Sequence, residues 1–524
     1  MIRWLYFLMP ALAAALCARV ALGYFQLESY QLGGYFRSVK RNWLRAFLPG
    51  LVVTIIGAAA VTLLGRAAFT TGTQAIGLAA MLLAAIIEYA IQRKLPAKKP
   101  LVVTARVKRL CGFYVAVSLG ASAGLVFGAR VLTLSLFLPL LAPLLLAVAA
   151  VLALPFEKAV QRAYLVDAMH RLDAADGLIK IGITGSYGKT SAKFLLETLL
   201  SERYRVLATP GSFNTSMGVT RVIREQLAPD HRVFIAEMGA RHRGDIRLLC
   251  KLVRPRYGIL TSVGPQHLET FHTQETICRE KFELARAIPP DGAMVFAADG
   301  GLNDKLYEKA TCPKHLSGAG AQGLGLRAED IEVGPWGSRF TMTDGEASIR
   351  VETRLLGAHN IGNLLAAATM ARVLGLDLPT IARGAAKARP VEHRLQLLTA
   401  SGGVTIIDDA FNANPVGAAA ALAVLKGFPG RRIIVTPGFV EMGREEAAYN
   451  RAFGEQRADS VDMAILVGRR HTAPIAEGLK SQGFAAEKLH IVSSLAEATA
   501  LLNPQLRPGD TVLYENDLPD NYQE

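Results

Sequence analysis

Lys189 and Thr190 end the run Thr184-Gly185-Ser186-Tyr187-Gly188-Lys189-Thr190, which with Ser191 joins an apolar stretch at 178–183 to a helix-like one at 192–200. Small residues between a strand and a helix let successive backbone N–H groups converge on phosphate oxygens at the helix N-terminus, where the helix dipole favours an anion. In such a loop Gly185, Ser186, Gly188 and Ser191 line the cradle, Lys189 reaches the β and γ phosphates, and Thr190 ligates Mg²⁺. Ile183 stands where the first glycine of GxxxxGKT would be, so the element reads as strand, GxxGKT, helix. The chemistry it predicts is phosphoryl transfer from a nucleotide.

Other residues gain meaning from where they fall relative to that loop. Glu237 directly follows the aliphatic run 233–236, and His267 follows the run 258–261. In a parallel sheet both would lie on the strand edge that carries the phosphate loop, the edge at which ligands bind, and together they could hold a second Mg²⁺. Lys281, within Arg279-Glu280-Lys281-Phe282-Glu283, reads by composition as one charge on a solvated helix. His359 and Asn360 precede a helix-like stretch and read locally as its cap. Arg394 is a surface arginine by composition, the Asp408-Asp409 pair a turn former, and Asn412-Ala413-Asn414-Pro415 a polar turn.

The elements that must position these residues follow from periodicity. Short aliphatic runs at 178–183, 233–236, 258–261 and 293–297 alternate with longer mixed segments, the pattern of a parallel sheet with crossover helices. A Gly-rich interlude at 317–354 predicts loops and a small antiparallel excursion before a helix at 360–374. Runs at 404–407, 433–436, 464–467 and 511–514 predict a second α/β unit. The expected fold class is therefore multidomain: an α-helical membrane region over 1–154, a linker helix over 155–176, a P-loop ATPase-type α/β domain over 177–390 and a Rossmann-like α/β domain over 391–524.

The phosphate loop resembles the ATP loop of the Mur ligases, and further segments resemble that family in the same order. These are Phe213-Asn214-Thr215, Glu237-Met238-Gly239-Ala240-Arg241-His242-Arg243-Gly244-Asp245, Gly264-Pro265-Gln266-His267-Leu268-Glu269, Gly357-Ala358-His359-Asn360-Ile361-Gly362-Asn363, and Asp408-Asp409-Ala410-Phe411-Asn412-Ala413-Asn414-Pro415. The last is most like the branch that adds D-alanyl-D-alanine to a UDP-muramoyl tripeptide. The resemblance covers about residues 177 to 520. It implies ATP-dependent activation of a carboxylate as an acyl phosphate, followed by attack of an amine, and two Mg²⁺ ions. It also implies His267 as a metal ligand beside Glu237, and a carbamylated Lys281 that serves as a carboxylate-like ligand. By the same resemblance Asn360, with His359 nearby, contacts adenine, and Arg394, with Asp408 or Asp409, closes on phosphate and ribose. Asn214, His242, Asn412 and Asn414 are assigned to the substrates. Phe282 departs from the small residue the family places after its lysine. No Ser-His-Asp or Cys-His nucleophile is evident, and this chemistry needs none, since it consists mainly of positioning and charge neutralisation.

Composition assigns the rest. Residues 1–154 hold fifteen Lys or Arg against Glu28 and Glu88, a net charge of +13, while the remainder carries +1. The basic balance thus belongs to the apolar region, and nucleic acid is not an expected partner. Apolar stretches at 4–24, 46–65, 67–91, 110–129 and 131–154 each approach the roughly 20 residues that cross a bilayer. The two basic connections, one with Arg37, Lys40, Arg41 and Arg45 and the other with Arg93 to Arg109, predict a plasma-membrane protein with its N-terminus outside and its α/β domains cytoplasmic. A cleaved signal peptide is the competing reading of the first stretch, but no basic cluster precedes it. Cys17, Cys111, Cys250, Cys278 and Cys312 show neither metal-ligand nor disulfide spacing. Since family members carry a UDP-binding domain where this chain has spans, a lipid-linked cell-wall precursor competes with a nucleotide-linked one as the acceptor. Membrane lipid is an expected partner. A poly-γ-glutamate-type ligase and a scaffold or flippase-like protein with an inactive ATPase fold are the rival functions.

Overall fold

The computed structural model describes all residues except 68–69, 95–99, 267, 319, 335, 400, 411–414, 441, 443–444, 458 and 517–524. His267, Asn412 and Asn414 therefore lie outside the described residues. The chain divides into two units, 1–163 and 164–524.

The first unit is helical. Helices Ile2–Cys17 and Arg19–Leu27 meet at a 44° bend, and Trp43–Ala67, Thr71–Lys94 and Ala105–Ala123 follow, the last continued by a π turn over Gly124–Gly128. Among the described residues four helices are long and apolar enough to cross a membrane, and the bent pair makes a fifth if it counts as one span. Small residues let the helices approach. A methyl group on Gly77 would fall 2.8 Å from Val61, and one on Gly57 2.7 Å from Met81, so the helices over 43–67 and 71–94 touch nearly backbone to backbone. Two buried tyrosine hydroxyls bond to backbone carbonyls, as an apolar solvent favours: Tyr35 donates to Pro143 O and Tyr114 to Ala14 O, each at 2.7 Å.

Two details differ from the sequence reading. The expected fifth span over 131–154 begins instead with a 3₁₀ turn, Leu132–Phe137, and helix Ala142–Asp173 then runs unbroken through Pro155, joining the expected span and linker into one element. Helix Leu32–Arg41, which no apolar run announces, buries Gly34, Tyr35, Ser38 and Val39 and turns its basic residues outward.

In the second unit, six parallel strands form one sheet in the order β2-β3-β1-β4-β5-β6: β1 Ile179–Thr184, β2 Val206–Ala208, β3 Val233–Glu237, β4 Tyr257–Leu260, β5 Ala293–Ala297 and β6 Lys314–Ser317. Its strands read as continuous aliphatic runs because both faces are covered. Helix Lys189–Leu200 buries Ala192, Leu195, Leu196, Leu199 and Leu200 in the same core as Leu364, Leu365 and Ala368 of helix Ala358–Val373. Each such leucine contributes roughly 1.5–3 kcal/mol by burial. A three-stranded antiparallel sheet, β7 Arg327–Gly334, β8 Gly337–Thr343 and β9 Ser348–Thr353, fills the expected excursion.

A second six-stranded sheet has the order β10-β11-β15-β12-β13-β14. Its members are β10 Gln396–Thr399, β11 Thr405–Asp409, β12 Arg432–Thr436, β13 Met463–Val467, β14 Leu489–Val492 and β15 Thr511–Glu515, with β10 antiparallel and the rest parallel. The fold class is as the sequence predicts.

Candidate active site

The phosphate loop leaves the end of β1 and enters helix Lys189–Leu200 through Gly188, whose φ of 77° places it in the left-handed region that glycine tolerates. A methyl group there would also meet Asn363 Oδ1 at 2.3 Å. The loop is pinned to the strand beside it: Ser186 N donates to Ser262 O at 2.6 Å, and Ser186 Oγ donates to Gly264 O at 2.9 Å. Lys189 Nζ folds back onto the loop, donating to Gly185 O at 2.9 Å and Ser186 O at 2.8 Å. Burial pushes this ammonium down to about 8, with Glu237 opposing the shift and Arg394 adding to it. Gly185, Ser186, Gly188, Lys189, Thr190 and Ser191 thus share one turn whose own carbonyls hold the lysine where an anion's oxygens would compete for it.

Glu237, the last residue of β3, lies beside that turn because β3 pairs with β1 in parallel, Ile183 opposite Glu237. It is buried, and four polar neighbours converge on it. Thr190 Oγ1 donates to Oε1 at 3.2 Å, Asn214 Nδ2 to the same oxygen at 3.1 Å, and Lys193 Nζ to Oε2 at 3.1 Å, while its backbone N donates to Thr209 Oγ1 at 3.1 Å. Burial alone would raise the Glu237 carboxyl; Lys193 and Lys189 outweigh it and hold the group below the usual carboxylate range. The result is an ionised carboxylate and a threonine hydroxyl side by side at the phosphate loop, an oxygen donor set that fits Mg²⁺.

Lys281 belongs to helix Gln274–Ala287, which Thr273 caps by accepting from Thr276 N at 3.2 Å. It is only 2% exposed, which corrects the compositional reading of a solvated charge: its side of the helix packs into the domain. Burial first, then Lys189, pushes its ammonium down to about 7, against Glu280, Asp245 and Glu237. Glu280 accepts from Gly244 N and Ile246 N at 2.8 Å each and so fixes the start of helix Asp245–Val253. His242 stands just ahead of that helix, half-exposed, its backbone N bonded to Asp245 Oδ2 at 2.9 Å.

The second sheet contributes Arg394. It sits between His393 and Leu395, whose φ values of 59° and 45° make a tight left-handed turn. Two aspartates hold this turn: His393 Nδ1 lies 2.7 Å from Asp408 Oδ2, and Leu395 N donates to Asp409 Oδ1 at 3.0 Å. So held, the Arg394 guanidinium acts on Lys189, Glu237, His359 and Asp409. His359 stands at the exposed lip of the site, yet surrounding protein and then Arg394 push its imidazole down to about 4. Asn360 is not the helix cap that local reading suggests. Gly357 occupies that position, and Asn360 Nδ2 donates to Leu356 O at 2.9 Å.

Sequence reasoning missed Lys193, Asn363 and Glu515. Lys193 follows Lys189 by four residues, one helical turn, and that spacing was the available signal. Glu515 has none, because it faces Asp409 only through the register of β11 and β15.

Comparisons with known proteins agree with this geometry. The chain matches the Mur ligase middle domain over residues 183–371 and the Mur ligase, glutamate ligase domain over 393–514. It is 35% identical over 364 residues to the UDP-N-acetylmuramoyl-tripeptide–D-alanyl-D-alanine ligase of Mycobacterium bovis, covering 65% of this chain and 70% of that protein. The Escherichia coli enzyme of that description is 31% identical over 304 residues, covering 57% and 67%. A crystal structure of MurF from Acinetobacter baumannii superposes with a TM-score of 0.62 at 28% identity, covering 68% of this chain and 77% of that one. The likeness begins after the apolar helices and takes in the phosphate loop, the Glu237 cluster and the Arg394 turn. By these matches the chain belongs to the Mur ligase family of ATP-dependent amino-acid ligases.

Proposed function

We propose that the chain activates the peptide carboxylate of a muramoyl-peptide cell-wall precursor as an acyl phosphate, and joins it to D-alanyl-D-alanine or a similar amine. The observation that carries this reading is the convergence on Glu237: one ionised carboxylate gathers the phosphate-loop threonine, the Asn214 amide and the Lys193 ammonium at the strand edge, with Lys189 and Arg394 beside it. Phosphoryl transfer between two anions needs this concentration of cations and metal-binding oxygens.

In this reading Gly185, Ser186, Gly188, Lys189, Thr190 and Ser191 hold the ATP phosphates, and Thr190, Glu237 and His267 hold Mg²⁺, two ions in all. Magnesium supplies charge neutralisation between ATP and the incoming carboxylate. Lys281, with an ammonium held at about 7, offers a free amine near neutral pH, the form that takes up CO₂ to give a carbamate and releases a proton. That product is an anionic oxygen ligand. His359 and Asn360 flank the adenine, His359 uncharged. Arg394 neutralises the transferring phosphoryl group, and Asp408 serves the ribose side while holding His393. Asn214 and His242 face the carboxylate substrate, Asn412 and Asn414 the amine.

In sequence, the long apolar helices take the place of the N-terminal domain with which family members bind a UDP-sugar, which favours a lipid-linked acceptor over a nucleotide-linked one. They anchor the protein in the plasma membrane with the N-terminus outside and the α/β unit cytoplasmic. The deciding experiment follows ATP consumption by purified protein in detergent with Mg²⁺, D-alanyl-D-alanine and either UDP-muramoyl tripeptide or its lipid-linked counterpart. We expect Lys189-dependent product with the lipid form at least. Product with neither acceptor, and ATP consumption that Lys189→Ala leaves unchanged, would reject the ligase reading.

A further inference from the structure

One end of the helical unit carries more positive charge than its own carboxylates match. There the end of the bent helix pair meets the segment before helix Ala105–Ala123: Gln26 Nε2 donates to Val102 O and Gln26 Oε1 accepts from Val102 N, each at 2.8 Å. The Arg106 guanidinium lies over the Tyr30 ring, 3.9 Å from its centroid, and approaches Glu157 at 3.7 Å. Arg109 grips the same carboxylate with two bonds, 2.6 and 2.8 Å. Two guanidiniums thus share one nearly buried carboxylate, leaving a net positive centre whose Arg106 side chain is still 31% exposed.

Two features make an anion the missing component. Arg106, Lys108 and Arg109 occupy the start of a helix that has no acidic residue in its first turn, the end at which the dipole disfavours cations and favours anions. Helix Leu32–Arg41, which follows Tyr30 in the chain, turns Arg37, Lys40 and Arg41 outward, and among the described residues none of the three pairs with an acid; Glu28 is bonded to Ser38. The neighbouring surface is apolar: Val102 and Val103 are 60% and 61% exposed, and Phe156, one residue from Glu157, is 49% exposed. Charge at a span's end over exposed apolar side chains is the layout of a headgroup and its acyl chains.

We propose that the Tyr30, Arg106, Arg109 and Glu157 cluster binds lipid-borne phosphate, with the anionic oxygens at Arg106 and the chains against Val102 and Val103. The chemistry is that of a phosphodiester or pyrophosphate on a membrane lipid. It is read without ATP, so its outcome is independent of the ligase assignment. The full chain, in nanodiscs of phosphatidylcholine, is titrated with phosphatidylglycerol, with a polyprenyl pyrophosphate and with inorganic pyrophosphate, and bound ligand is counted by native mass spectrometry.

We expect binding of at least one lipid, weakened roughly fivefold in Arg106→Gln, largely restored in Arg106→Lys, and unchanged in Arg130→Gln at the far end of the same span. Arg106-dependent binding of phosphatidylglycerol identifies a bilayer lipid as the source; the same dependence for the polyprenyl pyrophosphate identifies a lipid-linked substrate or product. Equal binding by wild type and Arg106→Gln, or binding of inorganic pyrophosphate alone, would overturn the proposal. A thermal melt of Arg106→Gln matching wild type shows that any loss reflects the site and not the fold.

Discussion

Glu237 carries the largest share of the site's electrostatics, since it neutralises a fully buried lysine while accepting from Thr190 and Asn214. Glu237→Gln keeps the shape and removes the charge, leaving the buried Lys193 ammonium with the Gly211 carbonyl but without its carboxylate. Breaking such a pair from one side costs about 3–5 kcal/mol, so the variant should melt well below wild type and resist rescue by added Mg²⁺. A melt within a degree of wild type would show that Lys193 does not depend on Glu237. A second buried charge problem lies behind the Arg394 turn. Glu515 is fully buried beside Asp409, and burial and then Asp409, by charge and by hydrogen bonding, raise its carboxyl well above the usual value. Burial likewise pushes Asp409 up to about 6. Groups raised in the folded state add stability that is complete below their ordinary values and is lost as pH rises through the folded ones. Glu515→Gln removes one of the two coupled protons from that balance. It should therefore match wild type in thermal melts at pH 4 to 5 and exceed it at pH 8; a gap that instead widens in acid would contradict the assignment.

At the scale of elements, the phosphate loop depends on one residue's conformation. Gly188 combines a φ of 77° with an Asn363 oxygen 2.3 Å from where a methyl group would sit. Gly188→Ala should weaken ATP binding at least about tenfold, since a non-glycine residue in such a position costs on the order of 1–3 kcal/mol. Adding Asn363→Ala relieves the clash but not the backbone strain, so calorimetry should show partial recovery; full recovery would assign the whole effect to Asn363. This loop was legible in the sequence because its chemistry is local: strand, glycines, lysine and helix are consecutive. The long central strands were legible for the same reason, as unbroken aliphatic runs. What escaped the sequence depends on pairing. β2, β10 and β14 are three- or four-residue strands whose existence depends on a neighbour, and Lys281 looks solvated until helix Gln274–Ala287 is packed. Helix Leu32–Arg41 escaped too, since its buried face is only Gly34, Tyr35, Ser38 and Val39, broken by Arg37 and followed by Lys40 and Arg41.

For the molecule as a whole, the question is what the helical unit adds to the ligase. Its buried core is built from residues between Tyr6 and Ala149, and the cores of the second unit from residues at and beyond Ala168. Residues 164–524 expressed alone should accordingly fold with a cooperative melt, because Leu165, Ala168, Met169 and Leu172 keep their packing against the α/β core. Catalysis should then separate by acceptor. With a water-soluble acceptor the fragment should turn over within about threefold of the full chain, since every residue of the Glu237 cluster and the Arg394 turn is retained. With a lipid-linked acceptor it should lose at least about a hundredfold in kcat/KM, because confinement to the bilayer raises the effective concentration of two partners held there and the fragment forgoes it. A fragment equally active on both would reduce the helices to an anchor, and one that folds but consumes no ATP with either would place part of the catalytic apparatus in the helical unit.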